Sequence, residues 1–123
     1  MKKKTEPGDE KLLEAIIESI RDKKGKNIVS IDLREVDNSI FDYFVICHGT
    51  STTHVSAISE SVETKPKELL GIKPAHVEGV QNSQWVLLDF SGIVVHVFLE
   101  DQRAFYRLED LWADGKTKIY EDV

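Results

Sequence analysis

Apolar positions fall into separate blocks along the chain, and the most informative block is residues 85–112, WVLLDFSGIVVHVFLEDQRAFYRLEDLW. Two alternating runs flank Ser91-Gly92, the pattern of a tight β-hairpin. With a two-residue turn there, Phe90 faces Ile93, Leu88 faces Val95 and Val86 faces Val97. That face is wholly apolar and belongs to a core. The other face sets Trp85, Leu87 and Asp89 across from Phe98, His96 and Val94. Such a mixture of aromatic, aliphatic and polar groups suits a protein-recognition patch, where aromatic anchors meet a few polar groups. It also suits a face covered by a helix, in which case Trp85 and Phe98 are core residues and His96 an interior, hydrogen-bonded histidine. The composition favours the open patch. A helix over residues 102–112 follows, burying Phe105, Leu108 and either Leu111 or Trp112 and leaving Tyr106 off the stripe, either to join the patch or simply to be solvated.

Upstream, Leu12, Leu13, Ile16, Ile17 and Ile20 recur at helical spacing, predicting a helix over residues 10–24. Asp9 is placed to cap it and Gly25 to supply a left-handed end. Residues 28–33 alternate, with Val29, Ile31 and Leu33 on one face, as in a half-buried strand. Residues 41–47, FDYFVIC, are β-rich without alternation, as in a central strand covered on both sides. A second helix begins near Thr52, with Val55, Ile58 and Val62 as its stripe; Pro66 should kink or end it. A short strand at residues 76–78 leads into the hairpin. The order is α-β-β-α-β-β-β-α, an α/β domain with a mixed sheet and flanking helices: antiparallel at the hairpin, with room for a parallel crossover through the second helix. Residues 1–8 are expected as a disordered lead-in, residues 9–114 as one domain and residues 115–123 as a charged tail.

Composition narrows the class. At 123 residues the chain suffices for one domain with a real core. No apolar run approaches the length of a membrane span, and MKKKTEPGDE lacks the apolar stretch of a secretory signal. One cysteine, Cys47, fits a reducing compartment, so a cytoplasmic protein is expected. The net charge of −6 comes from 22 acids against 16 bases, which disfavours general nucleic-acid binding through the fold and favours a basic protein partner.

Chemistry finds little support. Cys47-His48-Gly49-Thr50-Ser51 stands where a strand gives way to a helix, but without a GxxxxGK[ST] or GxGxxG pattern it reads as a capped turn rather than a phosphate site. A nucleotidyltransferase would need paired carboxylates on metal ions, and the strands after the second helix offer only Glu78 and a lone Asp89. Cys47 ends an apolar strand, where cysteine behaves as a small hydrophobe. His48, His54, His76 and His96 show no metal-ligand spacing. No catalytic residue, metal or cofactor is expected.

Residues 42–55, DYFVICHGTSTTHV, together with residues 85–112 closely resemble the Iojap-like ribosomal silencing factors (RsfS), and the likeness extends over roughly residues 9–114. The turn departs from the family's common Gly-Asp, but Ser91-Gly92 keeps the turn chemistry. The resemblance implies a nucleotidyltransferase-like fold without catalytic acids. It implies binding to the large ribosomal subunit through large-subunit ribosomal protein fourteen, obstruction of subunit joining and repression of translation, chiefly under nutrient limitation. The family's binding surface corresponds here to Trp85, Leu87, Asp89 and His96, to which the hairpin register adds Val94 and Phe98, and the following helix Tyr106. Family members also form homodimers, a state the sequence leaves open. The rival readings are a nucleotide-handling enzyme of the same fold and an interaction adaptor outside the ribosome.

Overall fold

The computed structural model describes residues 7–121 and contains α1 (Pro7–Asp22), β1 (Lys26–Asp32), β2 (Tyr43–Gly49), α2 (Thr52–Leu70), β3 (His76–Glu78), β4 (Trp85–Asp89), β5 (Ile93–Leu99), α3 (Glu100–Tyr106), α4 (Leu108–Leu111) and β6 (Lys116–Ile119). The strands form one mixed sheet in the order β3-β4-β5-β2-β1-β6. β2 and β5 pair in parallel at its centre, and every other pairing is antiparallel. The hairpin register is the expected one: Trp85 opposes Phe98, Leu87 opposes His96 and Asp89 opposes Val94.

Alternation in the strands separates two cores. Tyr43, Val45, Cys47, Val86, Leu88, Val95 and Val97 meet α1 and α2 on one face of the sheet. Leu12, Ile16, Ile17 and Ile20 of α1 are buried there, each contributing about 1.5–3 kcal/mol relative to exposure, more than helix propensity supplies. Val29, Ile31, Leu33, Phe44, Ile46, Val94 and Phe98 lie on the other face beneath Leu108, with Val36, Phe41, Trp85, Leu87 and Trp112 packed around them. β2 is therefore covered on both sides, as its unbroken apolar run implies.

Several local expectations are corrected. α1 begins at Pro7, so Pro7 and Gly8 belong to its first turn rather than to the lead-in, and Asp9 lies inside the helix; proline suits that position because its missing N–H has no helical partner to lose. Residues 1–6 lie outside the described chain. Lys24, not Gly25, takes the left-handed conformation after α1, at φ 59°. Gly25 is needed for space instead: its N–H reaches Ile20 O at 3.0 Å, and a Cβ there would run into Cγ2 of Ile20. Pro66 does not end α2. The helix continues one turn to Gly71, whose φ of 70° and N–H bond to Lys67 O (2.9 Å) make the left-handed cap. Pro66 is buried, which offsets its one forfeited hydrogen bond.

The largest departures are at the C-terminal end. The single helix expected over residues 102–112 is two, broken by Arg107 at φ 49°, ψ 52°. A left-handed residue resets the helical phase, so Leu108 is buried while Phe105, expected inside, is 77% exposed; of the two alternatives after it, Trp112 packs against the core and Leu111 is 73% exposed. Part of the expected charged tail is β6, an edge strand whose residues Lys116 to Ile119 pair with Asp32 to Val29.

Candidate protein-interaction face

The hairpin presents its mixed face because its turn locks the register. Ser91 sits at φ 78°, and Gly92 N–H donates to Phe90 O at 3.1 Å, a γ-turn. The Asp89 carboxylate accepts the Ser91 N–H at 2.7 Å, so this acid braces its own turn. Gly92 O accepts from the amides of Asp42 (2.7 Å) and Tyr43 (3.1 Å), tying the turn to the start of β2.

On that face the aromatic rings are piled. Phe98 is the floor, fully buried. The Trp85 ring lies 4.8 Å from it with planes 30° apart, and Tyr106, arriving on α3, lies 4.7 Å from Trp85. Phe105 meets Tyr106 edge-on at 5.1 Å. Offset and tilted pairs of this kind contribute about 0.5–1.5 kcal/mol each beyond area burial. Beside the pile, Trp85 Nε1–H donates to His96 Nδ1 at 3.2 Å. Indole N–H only donates, so Nδ1 accepts and the imidazole proton resides on Nε2. Burial pushes His96 down to about 4, so the ring is neutral near pH 7, as the acceptor role requires. Its Nε2 is buried without a hydrogen-bond partner among the described residues, and its edge faces Phe44, 4.8 Å away.

The seven candidate residues thus occur on one side of the sheet, at different depths. Val94, His96 and Phe98 are sealed beneath the surface; Trp85, Leu87 and Asp89 are half-buried; Tyr106 is exposed. Trp85 has both the characters weighed in the sequence, packed on Phe98 yet reached by solvent. His96 is the interior, hydrogen-bonded histidine. The upper tier is open to solvent, and the lower tier sets its height.

Two features of the face escape sequence reasoning. Phe105 and Leu111 add exposed apolar surface because of the break at Arg107, which no turn residue announces. Arg103 secures α3: its guanidinium donates to Asn27 O (2.7 Å), His48 Nδ1 (3.0 Å) and Glu109 Oε1 (3.1 Å).

The other motifs are engaged in structure. Ser51 caps α2 by accepting the His54 N–H at 3.1 Å, Thr50 N–H donates to His54 Nδ1 at 3.0 Å, and His54 Nε2 consequently donates to Lys23 O at 2.7 Å. The amides of Thr50 and His54 at this helix start are thus engaged within the chain. Cys47 is wholly buried, and desolvation pushes its thiol up to about 12 despite Arg103, far from a nucleophile's range. No group of three His, Cys, Asp or Glu among the described residues is placed to hold a metal ion, and no described helix is long and apolar enough to cross a membrane.

Comparison with known proteins places the chain and its fold. The family model described as "Ribosomal silencing factor during starvation" matches residues 6–123. The Ribosomal silencing factor RsfS of Halalkalibacterium halodurans is 37% identical over 115 residues, covering 94% of this chain and 97% of its own. A mouse protein named for mitochondrial assembly of the ribosomal large subunit is 38% identical over 73 residues, 58% of this chain and 32% of its own. A crystal structure from Chromobacterium violaceum superposes with a TM-score of 0.80 at 35% identity, covering 85% of each chain. With one family model spanning nearly its whole length, and a full-length relative sharing more than a third of its residues, the chain belongs to the ribosomal silencing factor family.

Proposed function

We propose that this protein binds the large ribosomal subunit through large-subunit ribosomal protein fourteen, obstructs joining of the small subunit and so represses translation, chiefly when nutrients are scarce. It acts in the cytoplasm, as a steric factor and not as an enzyme. The observation that carries the reading is the upper tier of the sheet face. Trp85 is half-buried on Phe98, flanked by Leu87 and exposed Tyr106, with Phe105 beside it. A preorganised aromatic anchor with an apolar rim is the form of a protein-binding hot spot. The net charge of −6 complements a basic ribosomal protein, and complementary fields raise the encounter rate. The family description supports the starvation context, and the mouse relative's name the large subunit.

Sedimentation with isolated subunits tests this. The wild-type chain should travel with large subunits and not small ones, and small subunits should compete with it. Trp85→Ala should weaken that binding by roughly 30-fold or more, since an interface Trp contributes on the order of 2–4 kcal/mol on truncation. Because Trp85 is only half-buried, its loss should cost the fold roughly 1–3 kcal/mol, less than a fully buried Trp. Equal binding to both subunits, or undiminished subunit joining at saturating protein, would refute the proposal.

A further inference from the structure

We propose that Arg103 is the positioning residue of the docking face: it seats α3 on the sheet and thereby holds Tyr106 against Trp85. The inference rests on the function just proposed and adds the element that sets the face's geometry. α3 is seven residues long and buries none of them. Hydrophobic burial, the usual fastening of a helix to a sheet, is therefore small, and a seven-residue helix does not persist on its own. What α3 has instead is one guanidinium. Arg103 Nη1 donates to Asn27 O at 2.7 Å, at the start of β1, and to His48 Nδ1 at 3.0 Å, near the end of β2. A longer approach of 3.4 Å reaches Lys26 O. Nε donates to Glu109 Oε1 at 3.1 Å, on α4. The Arg103 side chain is only 11% exposed, so its bonds to His48 and Glu109 are partly shielded from water, a setting in which charge-assisted bonds gain strength, while the bond to Asn27 lies at the surface. One residue thus connects α3 to two strands and to the short helix that follows.

Position 106 is three residues after 103, on the same side of the helix, so the seat of Arg103 fixes where the Tyr106 ring falls. Arg103 also accepts, through its backbone O, the Arg107 N–H at 3.0 Å that closes α3. The planar fork matters here: with donors on two edges it reaches a carbonyl, an imidazole and a carboxylate at once, which a lysine ammonium cannot do. Arginine has no acceptor, so His48 accepts at Nδ1 and is neutral, with its Nε2–H 3.9 Å from Glu100 Oε2, beyond hydrogen-bond reach.

The proposal is tested in the free protein and on the ribosome. In a Trp112→Phe background, Trp85 is the only tryptophan, and its quenching by acrylamide reports whether Tyr106 covers it. Arg103→Gln should raise that quenching towards the level of Tyr106→Ala, and should weaken large-subunit binding on the order of tenfold, as misplacement by an ångström does at a preorganised site. Combined with Tyr106→Ala, Arg103→Gln should add little further loss, because both act through one contact. Should Arg103→Gln not fold, Arg103→Lys is measured in the same way and should show the same direction. Unchanged quenching, unchanged affinity, or full additivity with Tyr106→Ala would overturn the assignment. If the wild type itself ignores large subunits, the proposed function falls, while quenching still decides whether Arg103 seats the helix.

Discussion

His96 combines burial, tautomer and partner in one side chain. Its pKa is pushed from 6.5 to about 4 because the charged form would lose its hydration. Above pH 6.5 neither the folded nor the unfolded chain protonates it. As pH falls from about 6.5 to about 4, the unfolded chain takes up a proton that the folded chain refuses, so stability falls with pH. The slope is about 1.4 kcal/mol per unit, and the total is on the order of 3 kcal/mol. Urea unfolding between pH 7.5 and 4.5 should show this loss in the wild type and about one proton less of it in His96→Gln. Equal slopes would mean that His96 titrates normally. At this scale the sequence was partly legible. Alternation around Ser91-Gly92 identified which residues share a face with His96, since a strand's side chains alternate whatever covers them. Depth was not legible, because the covering side chains, Leu108 and Trp112, arrive from elements whose break at Arg107 leaves no local signal.

Elements with strong periodicity were read correctly, and those whose stability is tertiary were not. α1, α2 and the strands β1, β2, β4 and β5 each carry their own apolar pattern. β6, by contrast, is four exposed residues with two lysines, which reads as tail. Lysines on an edge strand discourage a further strand from adding, so the same residues that hide β6 from view suit it to its place. The strand also carries Tyr120 into position, where its N–H donates to Ile28 O at 2.9 Å and its hydroxyl lies 3.1 Å from Ser30 Oγ. Deleting residues 116–123 strips β1 of one ladder and deprives buried Ser30 of that hydroxyl. The expected cost is about 1–3 kcal/mol. A lower urea midpoint should appear together with concentration-dependent association, since β1 then becomes the open edge. An unchanged midpoint would show that β6 contributes nothing to the sheet.

Across the whole molecule the two faces of the sheet are unequal. α1 and α2, 16 and 19 residues long, cover one face, while α3 and α4, 7 and 4 residues long, cover the other incompletely. That inequality gives a small domain a firm core on one face and a less firmly covered surface on the other. Cys47 lies on β2, between β1 and β5 and facing the firm core, with its thiol pushed up to about 12. A disulfide reagent at neutral pH finds almost no thiolate there and no path to it. Labelling must wait for the centre of the sheet to open, and the chain has no other cysteine to confuse the signal. Its modification rate is therefore a clock for cooperative opening. For a domain of ordinary stability, it should run on the order of a thousandfold or more slower than in urea-unfolded chain. Rapid native-state labelling would instead show that the sheet's centre opens without the rest of the fold.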